Sequence, residues 1–426
     1  MDRRTFLSAT AVAAAAPLTG LRGAPQAAAE AAPKPSPLDR LAEAAAAHRL
    51  AVAFDGTRFS GPGYEWLLKQ GSAARAVLLG EEHGIAENPK LAAQLFADLV
   101  PHGYRHLAIE TSPPMAAELE QAIGEGGTAA VRRLVTAPES RVAFFGLREE
   151  AELLAAVRKA VPRQSPLLWG MDYELAADRF LIRRLEAAPK PAAATRALAA
   201  LSAVSKASWA LYDETHNPQY IFSFAGDPML VRDVRRAWPG ADSSNRLILD
   251  TLEATLAINQ LWTQDKGYES NVRRSQFMRS NFMRHWWAKQ RADPESRIFM
   301  KMGASHMVRG LSMSDVFDVG TLVPELLAST GATAFHLMVL PGPGAQTANL
   351  DPTKFLYVPG KRDEYGAGME IFDKAILPST FTLFDTAPLR ALASSASGNV
   401  PLSLWRVIHG FDAVLVMTGS TPSSNI

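Results

Sequence analysis

Two glutamates and a histidine stand together at Glu81-Glu82-His83, straight after the apolar run Ala76–Leu79. A third carboxylate, Glu110, ends a second apolar run, Leu107–Ile109. Asp172 follows a third, Pro166–Gly170, and His306 follows a fourth, Arg297–Lys301. Carboxylates and imidazoles are the side chains that move protons near neutral pH, hold divalent metals or steady developing charge. If the four runs are strands of one parallel sheet, their C-terminal ends line one edge, where ligands of such sheets bind. Glu81, His83, Glu110, Asp172 and His306 then converge although they are far apart in sequence.

The elements that must position them can be read from periodicity. Between the first two runs, Leu91, Leu95, Phe96 and Leu99 recur at helical spacing, which predicts a strand–helix–strand unit. Pro113 predicts a helix start, over 113–123, and helices are also expected over 38–50 and 147–160. Further strands are expected at 335–340, 354–358, 380–384 and 413–417, completing one mixed sheet. From Asp178 to Ala292 the pattern is almost wholly helical. The expected architecture is α/β: a mostly parallel (mixed) sheet flanked by helices, with an α-helical insertion capping the strand C-terminal edge. Residues 38–177 and 293–426 would form the α/β part and 178–292 the insertion.

Within the insertion, Arg274, Met278, Asn281 and His285 fall at i, i+4, i+7 and i+11, on one helix face. Arg274, Asn281 and His285 are therefore candidates to face the pocket with Asp172, Arg274 as an oxyanion or carboxylate partner. In extended chain Glu81 and His83 share a face while Glu82 takes the other, which makes Glu82 a structural group.

The balance of 44 basic and 43 acidic residues gives no basic surface for nucleic acid. The chain has no cysteine, which removes thiolate catalysis, disulfides and cysteine-bound zinc. No G-x-S-x-G elbow, Walker motif or dinucleotide glycine signature is present. At the N-terminus, Arg3-Arg4-Thr5-Phe6-Leu7 resembles a twin-arginine export motif, and Ala27-Ala28-Ala29 offers a cleavage site. Residues 1–29 are expected to be a signal peptide and 30–37 a Pro/Ala linker. The partner implied is the twin-arginine export machinery, with a periplasmic or secreted product and no stable membrane span after cleavage.

LLGEEHG with HGYRHLAIE, LLWGMD, Arg274-x-x-x-Met278-x-x-Asn281, GASHMVRG and the closing GFDAVLVMTGSTPS run in an order that resembles the erythromycin esterase family. Its wider superfamily holds the ChaN-type haem-binding lipoproteins and the Tiki/TraB proteins. The esterases usually place one more residue between the motif glutamate and histidine, and the spacing here is closer to the ChaN-like pattern. They also carry a histidine pair where Gly303 and His306 stand. The resemblance implies a hydrolase of an ester or lactone in a small-molecule substrate. His83 would be the general base, Glu81 and Glu110 would orient it, and His306 and Arg274 would bind substrate or stabilise charge. No cofactor is expected on that reading. A divalent metal held by Glu81, His83, Glu110 and His306 is the Tiki-type alternative, and a haem- or ligand-binding protein without turnover is the ChaN-type one.

Overall fold

A computed structural model describes residues 35–396 and 398–426. The export signal and its cleavage site lie outside the described residues, as does most of the linker. The linker ends sooner than expected. The Ser36 hydroxyl accepts the Asp39 N–H at 3.2 Å while the Asp39 carboxylate accepts the Ser36 N–H at 3.0 Å. That reciprocal pair starts a helix at Pro37. Residues 36–426 form one compact unit.

The strands are β1 (Arg49–Phe54), β2 (Phe59–Ser60), β3 (Ala76–Glu81), β4 (Tyr104–Ile109), β5 (Leu168–Gly170), β6 (Arg297–Gly303), β7 (Ala334–Pro341), β8 (Gln346–Asp351), β9 (Leu356–Lys361), β10 (Phe381–Asp385) and β11 (Ala413–Met417). Nine of them make one sheet in the order β2-β1-β10-β11-β7-β3-β6-β4-β5. From β11 across to β5 every neighbouring pair is parallel, and β10, β1 and β2 extend it antiparallel. The mixed, mostly parallel sheet with flanking helices is the α/β architecture that the sequence predicts. Between Asp178 and Ala292 every regular element is helical.

Several elements differ from expectation. The first helix stops at Ala47, because the alternating Arg49–Phe54 is drawn into β1, between β2 and β10. The helix at Pro113 runs to Thr136 across a break at Gly126-Gly127. The strand expected at 354–358 is β9, which pairs with β8 in a separate hairpin rather than joining the main sheet.

β3 is buried along its whole length, as a central parallel strand must be. Val77 and Leu79 pack on one face with the helices Glu87–Leu99 and Arg148–Ala160. Ala76 and Leu78 pack on the other with the helix Gly267–Ala292. That long helix is fixed by Met278, Phe282 and Trp286, one turn apart and all buried. Each such side chain contributes roughly 1.5–3 kcal/mol of apolar burial. Together they set the rotation that aims Arg274 at the strand ends. Among the described residues no helix is long and apolar enough to cross a membrane.

Candidate active site

Register brings the chemistry together. Glu81 at the end of β3 sits opposite Gly303 at the end of β6, and Ile109 of β4 sits opposite both Lys301 and Gly170. Glu110 and Asp172 therefore emerge at the same edge as Glu81. Beyond β3 the chain turns at Gly84, where φ is +82° and a Cβ would meet the Ala348 carbonyl oxygen at 2.2 Å. The Gly84 carbonyl accepts the N–H groups of Ala348 and Ser423, both at 2.9 Å, which clamps the turn carrying His83.

His83 lies between two carboxylates drawn from opposite faces of the sheet. Its Nδ1 is 3.1 Å from Glu81 Oε1 and its Nε2 is 3.4 Å from Glu110 Oε2. The imidazole stacks on Phe144, with ring centroids 4.0 Å apart. Its side chain keeps 29% of its surface exposed while Glu81 and Glu110 are buried, so His83 is the member a ligand can reach. Burial favours the neutral ring, but the Glu110 and Glu81 carboxylates outweigh it and raise His83 to about 9.

Behind Glu81, the buried Lys301 ammonium donates to Glu81 Oε1 at 2.6 Å and to Glu150 Oε1 at 2.5 Å. Burial works against the Glu81 carboxylate, yet Lys301 and His83 hold it below its usual range. Glu110 is the hub on the other face. It accepts the Gly303 N–H at 2.7 Å and Arg274 Nη2 at 2.9 Å, with His306 Nε2 at 3.4 Å. Burial notwithstanding, the two histidines keep it well below the carboxylate range. Arg274 also grips Asp172 through Nε at 2.9 Å and Nη2 at 2.5 Å, a two-pronged pair. His306 sits on the short turn Ala304–Met307, its Nδ1 2.7 Å from Asp318 Oδ2. Burial lowers it, but Glu110 and Asp318 prevail and raise it to about 10, an imidazolium at neutral pH.

The structure thus gathers Glu81, His83, Glu110, Asp172, Arg274 and His306. Asn281 and His285 are not part of that group. Asn281 is buried and donates to the Met171 carbonyl at 2.9 Å, tying its helix to the end of β5. His285 stacks on Trp169, within β5, at 5.1 Å, beside Pro166 and Leu168 where that strand begins. The helix runs down the sheet face, and eleven residues at 1.5 Å each carry His285 about 16 Å along the axis from Arg274. Burial lowers it to about 3. Glu82 turns to the other face, as alternation requires, and accepts the Asp363 N–H at 2.9 Å.

Lys301, Glu150, Asp318 and Phe144 escape the sequence reading. Lys301 left one signal, a lone charge at the end of an apolar strand. Asp318 left another, an acid just before the helix Val319–Ala328, whose first N–H it accepts at 2.7 Å.

A divalent metal does not fit this set. Among the described residues no three His, Asp or Glu side chains are arranged to hold one. Glu81 and Glu110 are moreover already engaged by Lys301 and Arg274, two cations that a metal would have to displace.

No family model and no curated protein matches the sequence. Solved structures do match. An erythromycin esterase mutant in its open conformation aligns over 88% of this chain and 98% of its own, with 15% identity and a TM-score of 0.57. The chain has the erythromycin esterase fold. A Bacillus cereus protein shares it over 92% of this chain and 100% of its own, at 15% identity and a TM-score of 0.60. A succinoglycan biosynthesis protein does so over 91% and 98%, at 14% identity and a TM-score of 0.58. Within the esterase fold, Gly303 has a steric consequence here. A Cβ at that position would lie 2.9 Å from His83 Nε2 and 3.4 Å from Glu110 Oε2, so the hub has closed over the place where a larger side chain would stand.

Proposed function

We propose that this protein is a hydrolase that cleaves an ester or lactone with water activated by His83. The observation that carries the reading is the partly exposed His83 imidazole held between two buried carboxylates. In the active form Glu81 accepts the Nδ1 proton, which leaves the Nε2 lone pair to act as base. Nε2 takes a proton from water as its oxygen attacks the carbonyl carbon. Arg274 and the His306 imidazolium steady the oxyanion. Collapse expels the alcohol oxygen, which recovers the proton from His83. Glu110 orients His83 and the two cations, Arg274 and His306, that meet there. The fold shared with an erythromycin esterase supports this reading, and macrolide esters are among the substrates to test.

The test is turnover of a panel of nitrophenyl esters, simple lactones and erythromycin by the wild type and His83→Ala. The expected loss is about 10²–10⁴-fold, the contribution of a positioned base, in a variant that still folds but melts lower for want of the His83 ion pairs. Full activity in the variant overturns the assignment. Activity should also survive exhaustive chelation. We further propose that the protein is exported by the twin-arginine route, so that replacing Arg3-Arg4 by Lys-Lys retains it inside the cell.

A further inference from the structure

A cleft of about 290 Å³ is lined by residues on either side of Phe144, the residue that stacks on His83. Ala143 and Gly146, on either side of Phe144, line it, as does Tyr357. The Phe144 N–H donates to Tyr357 Oη at 2.7 Å, so one side chain links the cleft wall to the loop beneath the imidazole. Leu175, three residues beyond Asp172, forms another wall. The volume is at the small end for ligand pockets, enough for one ring or a short alkyl chain.

Much of the lining is apolar or aromatic; its polar side chains are Thr136, Asn425, Arg141 and Lys354, the last paired with Asp351 at 3.3 Å. Arg141 lies in the cleft with its Nη1 buried and without a hydrogen-bond partner. Its guanidinium sits over the Phe355 ring, Cζ to centroid 4.8 Å. Buried polar atoms of folded proteins are almost always satisfied, and a guanidinium fork matches a carboxylate in shape and charge. The backbone adds an independent sign. Phe355, which lines the cleft, and Phe144, which stands between two lining residues, have φ of +50° and +64°, a region bulky residues rarely adopt and one that clusters at binding sites.

We propose that this cleft is a subsite for a carboxylate, held by Arg141 at the end of an apolar substrate arm. The inference rests on the hydrolase reading for its place in catalysis: the substrate would be an ester whose acyl half carries a second, free carboxylate. Arg141 then selects the substrate, while His83 acts on it.

Two arms separate the subsite from the chemistry. In the first, 3-phenylpropionate and its neutral amide are titrated calorimetrically against the wild type, Arg141→Gln and Leu356→Trp. Wild type should bind the acid roughly 10- to 100-fold more tightly than the amide, as expected of a charge-assisted contact. Arg141→Gln should bring the two level, and Leu356→Trp, which narrows the cleft from its exposed side, should weaken both. Equal binding of acid and amide by the wild type, or an unchanged ratio in Arg141→Gln, overturns the proposal. In the second arm, the nitrophenyl monoester of adipic acid is compared with nitrophenyl hexanoate. The adipate ester should have the higher kcat/KM, and Arg141→Gln should abolish that preference while sparing the hexanoate. An acid that binds through Arg141 while His83→Ala retains turnover leaves the subsite standing and removes the hydrolase reading. A dead His83→Ala with no acid preference in the wild type does the reverse.

Discussion

As the proposed base, His83 would draw its strength from Glu81 and Glu110, and the same two groups keep it protonated. A base raised to about 9 is neutral in about one molecule in a hundred at pH 7. Because only the neutral ring accepts a proton, kcat/KM should climb about tenfold per pH unit and level off near pH 9. Glu81→Gln removes one carboxylate and should shift that rise to lower pH, which a pH–rate profile reads directly. Gly303→Ala tests the packing instead. Its methyl would sit 2.9 Å from His83 Nε2, so the ring must move off Glu110. Turnover should fall at least about tenfold, since small misplacements of a reacting group are costly. Its melting temperature should change little, because the displaced group is the partly exposed end of a side chain.

At the scale of elements, Lys301 joins β6 to both β3 and the helix Arg148–Ala160 through two buried carboxylates. Lys301→Met leaves Glu81 and Glu150 without their cation and should cost about 3–5 kcal/mol in denaturant unfolding. Lys301→Met combined with Glu150→Met removes the stranded charge on the helix and should cost less than the single change. A larger loss in the double variant would show the pair to be worth more than its desolvation. This pair also marks the limit of what a sequence discloses. Strand ends are legible, because an apolar run that stops at Glu81, Glu110 or Asp172 names its own last residue. The order of strands is not, because no local pattern says that β6 lies between β3 and β4. Without that order, a lysine 220 residues from Glu81 cannot be assigned to it. Helix periodicity grouped Arg274 with the strand ends, where it meets Glu110 and Asp172, and carried His285 along with it, since a shared face says nothing about depth. The φ of Phe144 left no trace in the sequence.

For the molecule as a whole, the buried titrating groups set a stability profile. His306 and His83, raised to about 10 and about 9, stabilise the fold fully below their unfolded value near 6.5. That contribution is lost as pH rises through 9 to 10. Glu82, raised to about 8 by burial, ionises more readily when unfolded and so weakens the fold between about 4.5 and 8. Glu81 and Glu110, depressed by their cationic partners, act in the opposite sense and lose stabilisation only under acid conditions. The melting temperature should therefore decline steadily from near neutrality to pH 10. Asp318→Asn, which removes one of the carboxylates holding His306 charged, should flatten the alkaline part of that decline; an unchanged slope would count against the role given to His306.

The late insertion of β6 has a consequence for how the protein is made. A ribosome that has finished β3, β4 and the helices to Ala292 has delivered most of the chain. It has not delivered the strand that must slide between the two already synthesised. Until then Glu110 lacks the Gly303 amide, 193 residues away, and Glu81 lacks its lysine. The nascent chain must hold a slot open, or pair β3 with β4 and later part them. Either way the cluster is completed only by the last third of translation, and a prematurely ended chain would lack it.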